Sequence, residues 1–242
     1  MKQMLWRCGA LVASLLVSAP AAPAQQPAPA GPTAAELKKN IARIERGTEG
    51  ESVAFDQLVA ATDKKLVAYL KAHDVSAAAA KSLGLGYDAS PDSARLKVFS
   101  YTYSSGGTRG TITQSVLQWH NRAGQRFAYV AHEEGGFGEI HRLPSPGRTQ
   151  YLLLGSEQGS GICMRGLAWL IELKGNYLLL DKQALDNQPR LDICNVALTY
   201  DARRRTLAAA ADSTFGEPDV YSDAPFKPFT LHLVQGRFVR KK

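Results

Sequence analysis

The period of the apolar residues changes once along this chain, and that change limits the folds open to it. Leu37, Ile41 and Ile44 recur at helical spacing, as do Phe55, Leu58, Val59, Thr62, Leu66, Tyr69 and Leu70. Such stripes mark amphipathic helices. From residue 94 the period becomes two. Phe99, Tyr101 and Tyr103 fall on one face of a strand, and Val98, Ser100 and Thr102 on the other. That alternation belongs to a half-buried β-strand. No crossover helix interrupts the later strands, and parallel neighbours need one. The expected class is therefore α+β, mainly β: short N-terminal helices followed by an antiparallel β-meander. Periodicity leaves a barrel, a sandwich and a propeller-like arrangement open.

Local signals place the elements. Thr33 with Glu36 reads as a capping box opening a helix over 34–46, which Gly47 ends. Thr48 with Glu51 suggests a second box, before a helix that runs to about Ala72. Asp74 is expected to cap a third helix over 75–83, closed by Gly84. Strands are expected at 94–103, 111–120, 125–132, 138–143, 149–155, 165–173, 176–181, 195–200, 205–211, 228–234 and 236–240. Turn residues separate them, among them Ser105-Gly106-Gly107, Gly135-Gly136, Lys174-Gly175-Asn176 and Gln235-Gly236-Arg237. The stretch from Asp212 to Lys227 is too long and proline-rich for a strand and reads as a loop that could carry function.

The first 24 residues read as an export signal. Lys2 and Arg7 form a positive n-region, Cys8–Ala19 a short apolar stretch, and Ala22-Pro23-Ala24 a cleavage site. The apolar run falls short of the roughly 20 residues that span a bilayer, so no transmembrane segment is expected in the mature chain. Residues 25–32 are a Pro/Ala linker, and 33–242 reads as one domain, with a helical lead over 33–84 and antiparallel β over 94–242. The protein is expected in the periplasm or outside the cell, with a mature start near Gln25. Losing Lys2 and Arg7 leaves 27 basic against 22 acidic residues, a mildly basic chain. No stripe of basic and aromatic residues accompanies that charge, which argues against nucleic acid. The mature chain keeps Cys163 and Cys194, and an even pair in an exported protein reads as a disulfide worth about 3–4 kcal/mol.

The richest chemical constellation is His132, Glu134, Glu139 and His141, flanking Gly135-Gly136. In a hairpin with a two- or four-residue loop, all four share one face. Two imidazoles and two carboxylates there could hold a divalent metal or act as acid and base; a wet hairpin tip is the bland reading. No other cofactor is expected. Tyr101, Tyr103 and Trp119 could form an aromatic ledge for a ligand, or the inner face of a sheet. The acids at 212–223 and at Asp181, Asp186 and Asp192 fit no calcium-loop spacing. Gly155-Ser156 to Gly161 lacks the spacing of a nucleophile elbow.

The phrase from Ser90-Pro91-Asp92 through Leu96 to Tyr103, followed by Gly106-Gly107-Thr108, resembles an uncharacterised family of exported bacterial proteins common in Bacteroidota. Leu198 to Asp201 and the closing Phe229 to Val239 are also similar. The phrase departs from the family pattern at Tyr101, where Trp is usual, and at Ser93-Ala94, where Gly-Lys is usual. The resemblance implies a signal, a helical lead, an antiparallel meander and an exported life, and it carries no activity. The leading expectation is a non-enzymatic exported protein that binds an envelope or extracellular ligand. The alternatives are a metal-assisted hydrolase using the His/Glu residues and a structural envelope protein that docks a partner through its helical lead.

Overall fold

The computed structural model describes residues 31–47, 53–104, 110–131, 135–219 and 225–241. Helix α1 (Ala34–Arg46) opens where Thr33 Oγ1 accepts the Glu36 N–H at 3.2 Å. The Glu36 carboxylate turns back to the Thr33 backbone, the reciprocal half of that box, and also pairs with Lys65 of α2 (Val53–Ala72). That ion pair holds the Glu36 carboxyl below its ordinary range. The expected box at Thr48 and Glu51 lies outside the described residues. Helix α3 spans Ala77–Leu83 and is capped by Ser76, which accepts from the Ala79 N–H, rather than by Asp74. Asp74 is drawn away by Lys97, whose ammonium is buried and needs a counter-charge; the two lie 2.5 Å apart.

All thirteen strands among the described residues pair antiparallel, in three sheets. The first is a meander in chain order: β1 (Gly86–Ala89), β2 (Leu96–Ser104), β3 (Thr111–His120) and β4 (Arg126–Ala131). The second runs β5 (Gly136–Arg142), β6 (Gln150–Ser160), β7 (Cys163–Lys174) and β8 (Tyr177–Leu180). A further strand, β9 (Arg190–Cys194), pairs β7 at Arg165–Trp169, while β8 takes Ile171–Lys174. The third sheet is β10 (Val196–Asp201), β11 (Thr206–Ala211), β12 (Phe229–Val234) and β13 (Arg237–Arg240). Strands β1 and β9 go beyond the sequence reading. They are four and five residues long, and charged or glycine residues interrupt their apolar pattern.

The cores show how the sheets stack. On the first sheet Phe99, Tyr101, Val116, Ala128 and Val130 face the helices and meet Leu37, Ile41, Leu66 and Leu70. The alternate residues Leu96, Val98, Leu117 and Trp119 face the second sheet and meet Tyr151, Leu153, Trp169 and Ile171. The other face of the second sheet, with Leu152, Leu154, Ala168 and Leu170, packs on Leu207, Leu231 and Phe238 of the third. Strands β6 and β7 are therefore covered on both faces, which explains their nearly unbroken apolar runs. Three open meanders packed face to face are one layer more than a sandwich, and none closes on itself as a barrel. The sheets stack in chain order, with the helices over the first.

The connection from β1 to β2 locks the first two sheets together. Ser90 Oγ accepts the Leu96 N–H at 3.0 Å and donates to Asp92. The other Asp92 oxygen accepts from Tyr151 OH of β6 at 2.6 Å, and Arg142 lies over the Tyr151 ring. Ser93 and Ala94 both take positive φ, 58° and 54°. That backbone favours glycine, so both residues sit where a side chain is strained.

Candidate ligand-binding cleft

Strands β1, β5 and β10 are the first strands of the three sheets, and each is an edge strand. Where they come together the surface opens into a cleft of about 670 Å3, within the range of small-ligand sites. Asp88 and Ser100 contribute from the first sheet, Gly136 to Glu139, Leu154 to Ser156 and Met164 to Gly166 from the second, and Val196 to Leu198 from the third. Asp212 and Phe215 complete the wall from the loop after β11.

Glycines bring the strands this close. A Cβ on Gly155 would collide with the Gly136 carbonyl, and one on Gly166 with the Val196 carbonyl across the gap between the second and third sheets. Gly138 differs: a Cβ there meets nothing, so it faces open space. It is also the extra residue of a β-bulge, since the pairing with β6 slips between Phe137 and Glu139. Phe137 and Ile140, three apart, can therefore both pack toward the first sheet, Phe137 on Trp169 at 5.2 Å. Glu139 and His141 turn to the opposite side, where the His141 ring lies tilted against that of Tyr200 of β10, centroids 5.1 Å apart. Bulges re-aim side chains in this way beside functional sites.

The cleft is acidic within a chain of net positive charge. Asp88 is half-buried and has no hydrogen-bond or ion-pair partner among the described residues; burial pushes its carboxyl up. Glu139 Oε2 lies 3.0 Å from His141 Nε2. Asp212 accepts from the Thr214 N–H in a turn of its own loop. Among the described lining residues the one cation, Arg165, pairs with Asp192 at 3.1 Å.

One buried residue fixes the loop that walls the cleft. Asn195, fully buried with φ 53°, sits between β9 and β10. Its side chain accepts from the Met164 N–H and donates to the carbonyls of Ile162 and Glu217, all within 2.9 Å. Its own carbonyl accepts the Asp212 N–H, and the neighbouring Cys194 carbonyl accepts the Asp219 N–H, each at 2.8 Å. The Cys163–Cys194 disulfide anchors the same corner by joining the end of β9 to the start of β7.

The residues singled out in the sequence fall as follows. His132 and Glu134 lie outside the described residues. The hairpin that would have brought them opposite Glu139 and His141 does not form, because β4 and β5 belong to different sheets and Gly135-Gly136 joins one layer to the next. Leu117 and Trp119 on one side, and Trp169 on the other, occupy the space between those layers. Glu139 and His141 do meet, but among the described residues no group of three or more His, Cys, Asp or Glu could hold a metal ion. Tyr101 and Tyr103 face the helices, with rings 6.4 Å apart, whereas Trp119 faces the second sheet, so the three share no ledge. Tyr101 OH donates to Asp63 of α2 at 2.7 Å. The acids Asp181, Asp186 and Asp192 are held by Arg237, Arg240 and Arg165. Asp88, Asn195 and the cleft itself were missed. Isolated glycines inside strand patterns, at 138, 155 and 166, carried the signal, since such glycines mark bulges and close backbone approach.

No family model matches the chain, and no curated protein or solved structure is significantly similar to it. Among the described residues no helix is long and apolar enough to cross a membrane.

Proposed function

We propose that this chain is an exported, non-enzymatic binding protein that holds an envelope or extracellular ligand in the cleft between its three sheets. The observation that carries this reading is the cleft, walled by three sheets and a tethered loop, with Asp88 half-buried inside it and without a partner among the described residues. A carboxylate in that state costs stability, and a ligand donor would offset the cost. The disulfide is compatible with export. The signal-like first 24 residues and the similarity of the Ser90 phrase to an exported family support the same compartment.

The test is a small-molecule fragment screen by amide NMR on the wild type and on Gly138→Trp. Gly138 faces open space and does not take positive φ, so the indole fills the cleft without straining the fold. Hits that shift Gly155, Gly166 and Leu198 and vanish in the variant support the reading. Hits confined to other surfaces, or unchanged in Gly138→Trp, overturn it.

The 3.0 Å contact of Glu139 with His141 favours a second reading, a hydrolase in which Glu139 orients the imidazole as a base. Metal assistance in that reading requires His132 or Glu134 as further ligands. Elemental analysis of the purified protein beside His141→Ala decides the metal: a stoichiometric metal lost in the variant supports it, and a metal-free wild type rejects it.

A further inference from the structure

We infer that the ligand is an extended, basic peptide segment that pairs main chain to main chain with the open edge of β10. This rests on the cleft being the binding site. Edge strands offer unpaired N–H and C=O groups to another chain, and folds usually blunt them. Here most other edges are blunted or short. β5 carries the bulge at Gly138. β13 is covered by the 184–188 turn: Phe238 N–H donates to the Ala184 carbonyl and Asp186 N–H to the Phe238 carbonyl, both at 2.8 Å. β1 and β8 have four residues each. β4 contributes nothing to the cleft.

β10 has six residues, Val-Ala-Leu-Thr-Tyr-Asp, with no proline, lysine or bulge, and an unbroken register with β11. The direction of its free groups follows from two bonds. Asp212 N–H donates to the Asn195 carbonyl, and Leu233 N–H donates to the Arg205 carbonyl. Strand alternation then turns the main-chain groups of Ala197, Thr199 and Asp201 toward β11 and those of Val196, Leu198 and Tyr200 outward. The Val196 carbonyl abuts Gly166, and the Tyr200 ring meets His141, so the outward groups of Leu198 are the ones presented to the cleft. Strand addition needs this geometry, with pockets beside it for alternate side chains. The side chains facing the added strand supply the charge preference: Asp88, Glu139 and Asp212 line the cleft, and its arginine is already held by Asp192. An ammonium or guanidinium on an apolar stem suits carboxylates set among Phe137, Met164 and Phe215.

The probe is the capped peptide acetyl-Thr-Lys-Val-Lys-Thr-amide, titrated into the full mature chain and followed by amide NMR and hydrogen exchange. Two N-methylated forms, one methylated at the odd amides and one at the even, separate strand pairing from side-chain docking. Only one set faces β10, so one form is expected to bind about tenfold or more weaker while the other matches the parent. Exchange at the Leu198 N–H slows on binding. A norleucine-for-lysine form and the Asp88→Asn, Glu139→Gln double variant are each expected to weaken binding. Equal binding of both methylated forms, or of the norleucine form, overturns the inference and leaves the cleft reading intact. No shift at millimolar parent peptide also overturns it, and the fragment screen on Gly138→Trp then decides the cleft separately.

Discussion

Two polar residues near the cleft have opposite relations to stability. Asp88 is held with its carboxyl raised, so its folded pKa lies above its unfolded value. Such a group contributes stability below the unfolded pKa and loses it as pH rises through the folded one. Asp88→Asn should therefore raise the melting temperature at neutral pH, and the gain should vanish in acid, where both side chains are neutral. Thermal melts across pH read both limits. Asn195 is the reverse, a buried amide with every polar group used. Asn195→Ala orphans one part-buried N–H and two carbonyls, and should cost about 1–2 kcal/mol in a urea titration. Neither residue was legible in the sequence. Asp88 lies in a four-residue strand with no alternation to read, and the partners of Asn195 are 22 to 33 residues away. Glu139 and His141 were legible as neighbours because i and i+2 share a face in any regular strand. Their tie to His132 and Glu134 was not, because Gly-Gly serves a sheet-to-sheet passage as well as a hairpin.

At the level of elements, the helices were read almost to the residue, since their stripes are spent on one sheet face. That also sets their role. Deleting 34–83 uncovers Phe99, Val116 and Val130, and the remaining strands should fail to fold cooperatively, as judged by circular dichroism and a lost thermal transition. A deletion variant that folds and melts normally would make the lead a separable docking arm. The Cys163–Cys194 pairing was read correctly from compartment and parity, although β9 itself was missed. Reduction should remove about 3–4 kcal/mol, the loop-closure value for a separation of 31 residues. Exchange should rise first at the Asp212 and Asp219 amides, which hang on Asn195 and Cys194. An unchanged melting temperature in reductant would place the corner's rigidity in Asn195 alone.

Across the whole molecule, the switch from helical to strand period gave the class, α+β and mainly β, and could not give the stacking. Whether successive hairpins continue one sheet or start the next depends on contacts between layers, such as Leu117 and Trp119 of the first sheet with Tyr151 and Leu153 of the second, which no local pattern encodes. Address is a prediction at this scale too. Expression in a Gram-negative host should release a mature protein that begins near Gln25, read by N-terminal sequencing, and one that retains Met1 would remove the basis for an oxidising compartment. One detail of β5 bears on how such a chain can vary. A strand has a reading frame of two, and a single insertion or deletion ordinarily exchanges its inner and outer faces. At Gly138 the spare residue already absorbs one such step, so its removal would leave Phe137, Ile140, Glu139 and His141 on their present faces. The cleft's own strand thus contains a point where length can change without scrambling the core, and related chains are expected to differ there by a residue more readily than anywhere else in β5.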